Sequence, residues 1–258
     1  MYRSISHKRI LLTGASSGIG QALALEFARQ SARLLITARR ADRLEQVAIE
    51  CRELGAEVHV VAGDVTDAAI QSLLMRHVES VWGGLDILVN NAGVGAVGSF
   101  ADAAPERLRE IMEVNFFAPA LLIQRMLPQL VCGDQPIVVN IGSVLGHIAV
   151  PQKSEYCASK FALRGLSDAL RCELRGRRVD LLWVAPNTTR SEFFDRMLEQ
   201  RGTVAVNPLS MTPQRVAKMV LRAIQRGRTR LVLTVIGRNL IRVRYLFPRL
   251  MDRLLARL

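Results

Sequence analysis

The chain has 258 residues, half of them hydrophobic, enough to bury a full core and too apolar for a disordered tract. Its formal charge is +12, from 35 basic and 23 acidic residues, and the excess gathers between Arg226 and Arg257, where Asp252 is the only acid. No zinc-finger, RNP or basic-zipper pattern accompanies that charge, which argues against nucleic acid, and Cys51, Cys132, Cys157 and Cys172 show neither a CxxC pair nor metal-ligand spacing, so no metal is expected.

The first apolar run, Ile10–Leu12, is too short for a signal peptide or a membrane span, so a cytoplasmic protein is expected. Further runs follow at Leu34–Thr37, Val58–Ala62, Ile87–Asn90, Ile137–Ile141, Leu181–Val184 and Leu231–Val235. They are nearly continuous rather than alternating, as strands buried on both faces are. Between them the spacing predicts helices over Ile19–Gln30, Arg43–Leu54, Ala68–Val81, Glu106–Leu130, Ser154–Arg175 and Pro213–Arg226. This βαβα rhythm predicts an α/β fold: a Rossmann-type, doubly wound parallel sheet of about seven strands in a single domain, with helices on both faces. The irregular stretch 191–211 reads as a lid. Residues 1–237 are assigned to the catalytic domain and 238–258 to a separate basic amphipathic helix.

Thr13-Gly14-Ala15-Ser16-Ser17-Gly18-Ile19-Gly20 stands between the first strand and the first helix. Glycines there permit a tight turn and close approach of a pyrophosphate, and the helix N-terminus supplies free N–H groups. About 20 residues on, an NAD enzyme usually carries an acid. Here the sequence reads Thr37-Ala38-Arg39-Arg40. Ala38 leaves a ribose 2′-hydroxyl without a carboxylate partner, and Arg39 and Arg40 suit a 2′-phosphate, so NADP(H) is preferred over NAD(H).

Tyr156-Cys157-Ala158-Ser159-Lys160 puts a phenol and an ammonium one helical turn apart. A nearby cation favours the phenolate and is expected to bring Tyr156 toward neutral pH, where it can give or take a proton. Asn90-Asn91-Ala92-Gly93 follows the fourth strand, Ser143 ends the fifth, and Asn115 interrupts a predicted helix. With TGxxxGIG and Asp64, this set resembles the classical short-chain dehydrogenase/reductase family from about Arg9 to Ser191, in order and spacing.

The resemblance implies roles. Gly14, Ser16, Ser17, Gly18, Ile19 and Gly20 would hold the dinucleotide. Asp64 would contact the adenine with Val65 packed beside it, and Asn91, Ala92 and Gly93 would support the ribose side. Tyr156 would be the acid/base, and Lys160 would bind the nicotinamide ribose and tune Tyr156. Ser143 would orient the substrate oxygen, and Asn115 would hold a water linking Lys160 to solvent. Pro186, Thr189 and Ser191 fall where relatives hold the carboxamide. The implied activity is oxidation of a CH–OH group, or the reverse, with a nicotinamide cofactor. The usual Pro-Gly after the sixth strand is Pro186-Asn187 here, and Asn, which tolerates left-handed backbone, is expected to preserve the turn.

By position, 94–97, 144–146 and the lid line the substrate site. They are mostly apolar, as are Phe193, Phe194 and Met197 of the lid, so a lipid-like or steroid-like carbonyl or alcohol is expected. His147 is a polar contact or a structural residue. Leu240, Val243, Phe247, Leu250, Leu254 and Leu258 recur at helical spacing, with Arg242, Arg249 and Arg253 on another side and Pro248 as a kink. Such a tail lies on a membrane surface, on its own core or on a partner subunit. Relatives pair through the two long helices, so a homodimer or homotetramer is implied. The competing reading, a non-catalytic NADPH-binding regulator, needs only the binding half of this set.

Overall fold

The fold was analysed in a computed structural model that describes residues 2–189 and 210–256. Seven strands alternate with helices in chain order: β1 (Arg9–Thr13), α1 (Gly18–Ala28), β2 (Arg33–Ala38), α2 (Ala41–Glu53), β3 (Glu57–Ala62), α3 (Ala68–His77) and β4 (Ile87–Asn90). Then come α4 (Pro105–Met112), α5 (Ala118–Val131), β5 (Ile137–Ile141), α6 (Ser154–Glu173), β6 (Asp180–Ala185), α7 (Pro213–Gln225), β7 (Arg230–Val232), α8 (Val235–Leu246) and α9 (Pro248–Leu255). The sheet is parallel throughout, in the order β3-β2-β1-β4-β5-β6-β7.

The continuous apolar runs have the expected cause. Ile10, Leu12, Ile36, Val89 and Val139 enter one core with residues of α1, α2 and α7. Their chain neighbours Leu11, Leu35, Leu88 and Val138 enter a second core with α3 and α5. Successive side chains of a strand point to opposite faces, so a sheet covered on both sides needs apolar residues at every position. The chain winds outward from β1 to β3, then crosses to β4 on the other side of β1. The crevice this reversal leaves at the carboxyl ends of β1 and β4 is where open α/β sheets bind ligands.

Three elements differ from the sequence expectation. The helix expected over Glu106–Leu130 is broken into α4 and α5 by a π-helical turn, Glu113–Phe117. Asn115 lies in that turn and is fully buried. The wider turn re-aims its side chain off the helix surface, a common device at functional sites. A second π turn, Val78–Trp82, ends the helix expected over Ala68–Val81. The last expected strand is cut short because Val235 already belongs to α8, whose N-cap Thr234 accepts from Gly237 N–H at 2.9 Å.

The tail is two helices rather than one kinked helix, broken at Phe247 ahead of Pro248. The boundary drawn at residue 237 therefore falls inside α8. Ile241 of α8 and Leu255 of α9 pack against the cluster of Val144, Ile148, Leu163, Trp183 and Ala185. Most of the lid stretch, including Ser191, Phe193, Phe194 and Met197, lies outside the described residues, as does Leu258.

Candidate active site

The glycine turn is held by backbone geometry that other residues resist. Gly14 has φ +66, and a Cβ there would lie 2.8 Å from Ala92 Cα. A Cβ on Gly20 would lie 2.1 Å from Gly14 O, and Gly18 has φ +58. A side chain at Gly14 or Gly20 would collide with the backbone of the turn and of the loop after β4. Asn91 fixes the turn from β4: its Nδ2 donates to Thr13 O at 3.1 Å and Gly14 O at 3.0 Å. Thr13 Oγ1 accepts from the N–H of Asn91 at 3.0 Å and of Ala92 at 3.1 Å. Ile19 anchors the start of α1 against the first core. Free N–H groups at the head of α1, a Cβ-free floor and no carboxylate in the turn fit a dinucleotide pyrophosphate.

The arginines after β2 frame the outer end of this cradle. Arg40 Nη2 donates to Ser16 Oγ at 3.1 Å and to Ser17 Oγ at 3.0 Å, which draws its guanidinium over the turn. Arg39 is exposed, with Nη1 3.8 Å from Asp64 Oδ2. Asp64 Oδ1 accepts from Thr66 N–H at 2.9 Å and Thr66 Oγ1 at 2.8 Å, and Val65 beside it is buried.

At the other end, the carboxyl ends of β4 and β5 and the first turns of α6 bring Ser143, Tyr156 and Lys160 together, with Asn115 alongside. Ser143 caps a short 3-10 turn, Val144–Gly146, and its Oγ accepts from Leu145 N–H at 3.0 Å. The same hydroxyl is hydrogen bonded to the Tyr156 phenol. Lys160 Nζ lies 5.6 Å from the Tyr156 ring centre and donates to Ile141 O at 3.3 Å. Asn115 Oδ1 accepts from Val94 N–H at 2.9 Å, and its Nδ2 donates to Val94 O at 2.9 Å and Ser159 Oγ at 3.0 Å. Ser159 Oγ in turn donates to Tyr156 O at 2.8 Å. The Asn115 side chain thus ties the loop after β4 to α6. Gly93 leaves the space between them open, since a Cβ there would sit 3.1 Å from Asn115 Oδ1 and 3.6 Å from Lys160 Nζ.

The electrostatics correct one expectation. Burial pushes the Tyr156 phenol up to about 12, against the lowering effect of its bond with Ser143. Burial also pushes Lys160 down to about 8. Desolvation penalises both charged forms here, so the shift runs opposite to the one expected from the nearby ammonium. Burial thus favours the neutral phenol of Tyr156.

One neighbouring feature was not visible in the residue pattern, and another resolves an open choice. Arg107 of α4 and Glu155, the residue before Tyr156, form a buried ion pair, with Nε 2.9 Å from Oε1. Arg107 Nη2 also donates to Ser99 O at 3.2 Å. His147 is structural: burial holds its ring down to about 4, and its neutral Nε2 lies 3.1 Å from the Trp183 Nε1 donor.

After β6 the chain departs from expectation. Among the described residues the non-glycine positions with positive φ are His7, Ser31, Gln135, Gln152 and Arg178, and Asn187 is not one of them. The turn does not use left-handed backbone at this position. Asn187 Nδ2 donates to Thr234 Oγ1 at 3.0 Å instead. Pro186 O accepts from Val144 N–H at 3.0 Å, and the buried Thr189 donates from Oγ1 to Asn187 O at 3.1 Å.

A parallel sheet with a pyrophosphate cradle at its switch point, facing a Tyr–Ser–Lys proton-transfer set, defines an oxidoreductase that uses a nicotinamide cofactor. The short chain dehydrogenase family model matches residues 8–202. The chain belongs to that family and is an oxidoreductase acting on CH–OH groups. It is 39% identical to a hydroxysteroid 11-beta-dehydrogenase 1-like protein of Xenopus laevis, over 66% of this chain and 59% of that one. A Burkholderia phymatum short-chain dehydrogenase/reductase in complex with NAD superposes with a TM-score of 0.88 at 25% identity, covering 96% of both chains. A Sphingobium yanoikuyae short-chain dehydrogenase in complex with NADPH superposes at 0.81 and 30% identity, covering 90% of each.

Proposed function

We propose that the chain is an NADP(H)-dependent oxidoreductase that interconverts a carbonyl and a secondary alcohol on an apolar, lipid-like or steroid-like compound. The observation that carries the cofactor choice is the arginine pair. Arg40 is held over the pyrophosphate turn by Ser16 and Ser17. Arg39 is tethered only by an exposed pair with Asp64, and pairs of that kind are worth about 0–1 kcal/mol. A 2′-phosphate would recruit both guanidiniums, and Ala38 sets no carboxylate against it.

When bound, the nicotinamide supplies or accepts the hydride. The chain's own residues handle the proton. In reduction, the Tyr156 O–H bond breaks and a new O–H forms on the substrate oxygen, while Ser143 holds that oxygen and stabilises its developing charge. Lys160 holds the ribose hydroxyls and stabilises the phenolate left behind. Asn115 keeps the loop after β4 in register with α6. Gly14, Gly18, Ile19, Gly20, Asp64, Val65, Asn91, Ala92 and Gly93 form the rest of the dinucleotide site, with Pro186, Thr189 and Ser191 at its carboxamide end. Support for an apolar substrate comes from the buried Val94, Ala96, Val97 and Val144 and from the hydroxysteroid-named Xenopus relative.

NADPH is expected to bind at least tenfold more tightly than NADH. Arg39→Ala or Arg40→Ala should each cost NADPH about tenfold or more, since a hydrogen bond to a charged group contributes about 1.5–3 kcal/mol. Fluorescence titration of both cofactors checks this. Equal affinities, untouched by either substitution, would return Arg39 to the role of a surface charge.

The chain is further proposed to form a homodimer or homotetramer through α4–α5 and α6, which leave Leu108, Phe117, Leu121 and Phe161 exposed. The tail is proposed to rest on an anionic lipid surface. No helix among the described residues is long and apolar enough to cross a membrane. α8 and α9 nevertheless expose Leu246, Phe247, Leu250 and Leu254 beside the exposed Arg238, Arg242, Arg249 and Arg253, the pairing of apolar and basic groups that interfacial helices use. Co-sedimentation with phosphatidylserine vesicles is expected, and it should be lost on joint Leu246→Asn and Phe247→Asn substitution. Retention of vesicle binding by that variant refutes the lipid reading.

A further inference from the structure

We infer that the C-terminal helix pair braces the turn that carries Ser143, and that Asn187 and Thr234 form the latch that holds it there. The inference rests on the proposed reaction for its kinetic consequence and on the fold alone for its physical one.

The catalytic turn that carries Ser143 is held from three sides. Val144 N–H donates to Pro186 O at 3.0 Å, which fastens the turn to the segment after β6. Arg164 of α6 donates from Nη1 to Gly146 O at 3.0 Å, and its guanidinium carbon lies 5.9 Å from the centre of the Tyr245 ring in α8. The third side is the head of α8. A Cβ added at Gly237 would sit 3.1 Å from Val144 Cγ2, so the backbone of α8 lies directly against the residue following Ser143. Ile241 and Leu255 extend this packing onto Val144, Ile148 and Trp183.

One hydroxyl ties the head of α8 to the segment after β6. Thr234 Oγ1 accepts from Gly237 N–H at 2.9 Å as the helix cap, and from Asn187 Nδ2 at 3.0 Å. Asn187 follows Pro186, whose carbonyl holds Val144. The same short segment therefore grips the catalytic turn through its backbone and the tail through its side chain. A glycine at 187 has no group to make the second bond. The replacement of the usual glycine, without left-handed backbone to explain it, is accounted for by this contact.

Asn187 and Thr234 are accordingly positioning residues. They act on Ser143 through Val144 and through the seat of α8. The bond from Leu145 N–H to Ser143 Oγ makes the placement of Ser143 readable without any substrate.

Three variants of the full chain separate the latch from the cap and from general damage. Asn187→Gly breaks the latch and leaves the cap, Thr234→Val removes both, and Thr234→Ser keeps both. By hydrogen exchange, amides 144–147 are expected to exchange at least tenfold faster in Asn187→Gly and Thr234→Val, with β1 and α1 unchanged. Thr234→Ser should match the parent chain. With a carbonyl substrate from an NADPH-oxidation screen, the first two variants should lose about tenfold in kcat. KM for NADPH should stay within twofold, and Thr234→Ser should restore turnover. Unchanged exchange across 144–147 in Asn187→Gly overturns the latch. Faster exchange with unchanged kcat overturns the positioning role and leaves a purely structural bond. An absence of turnover in the parent chain defeats the proposed reaction instead, and the exchange result still decides the latch.

Discussion

Tyr156→Phe is expected to abolish turnover while leaving the cofactor site intact. The substitution removes one oxygen and its proton and keeps the ring that stands over Lys160. A positioned acid contributes about 10²–10⁴-fold to such a reaction. Here the contribution belongs at the upper end, since Ser143 is already engaged with Leu145 N–H and the Lys160 amine donates to Ile141 O. NADPH affinity, read by fluorescence, should change less than twofold. Turnover within tenfold of the parent would remove Tyr156 from the acid/base role.

The same groups set the pH dependence. With the phenol near 12, the donor for reduction stays protonated across the working range. The group that titrates nearer neutrality is Lys160, pushed down to about 8. Below that value its ammonium is present to stabilise the departing phenolate, and above it the stabilisation fades. Reduction should therefore be level at mildly acid pH and decline as pH rises through about 8. Steady-state kcat against pH checks it, and a profile that climbs through this range contradicts the assignment.

How much of this was legible beforehand follows from what each feature depends on. The parallel sheet was legible because burial on both faces forces unbroken apolar runs, and Leu11 and Leu12 serve opposite cores. The cradle was legible because Gly14 and Gly20 are required by local backbone contacts that a linear motif encodes. Asn115 stands out locally as a poor fit to a helix and by resemblance as a site residue, but the π turn that resolves the misfit meets Val94 and Ser159, far away in the chain. Asn187 was noticed as a departure but read through backbone propensity. Its partner Thr234 lies 47 residues on, and no local rule links the two. The raised phenol of Tyr156 was missed for a related reason: charge proximity can be read from i, i+4 spacing, whereas burial depends on everything packed around the pair. Ser159 lies inside the Tyr-x-x-x-Lys motif, and the folded contact with Tyr156 O gives it a task.

Glu155→Ala should be the most damaging single change to stability outside the apolar cores. Arg107 and Glu155 have side chains 5% and 2% exposed. Removing the carboxylate takes from a buried guanidinium the acceptor that pairs with its Nε at 2.9 Å, and breaking a buried pair in this way costs about 3–5 kcal/mol. At about 2–4 °C per kcal/mol for a chain of this size, Tm should fall by roughly 10 °C in a thermal melt. The comparison with Arg33 and Glu57 shows why burial decides the outcome. Arg33 lies 2.7 Å from Glu57, and with His59 and Trp82 it holds that carboxyl down to about 2. Both side chains are nonetheless a third or more exposed, so solvent screening reduces Glu57→Ala to about 0–1 kcal/mol. Replacing both members of the buried pair with apolar residues of similar size should recover most of the loss, because no charge is then stranded. Equal small shifts for Glu155→Ala and Glu57→Ala would show that water reaches Arg107. Glu155 opens the first turn of α6 immediately before Tyr156, so the same substitution should also lower kcat at temperatures where the chain remains folded. Buried charge at this point of the fold then serves to set where α6 begins, and with it where the phenol stands.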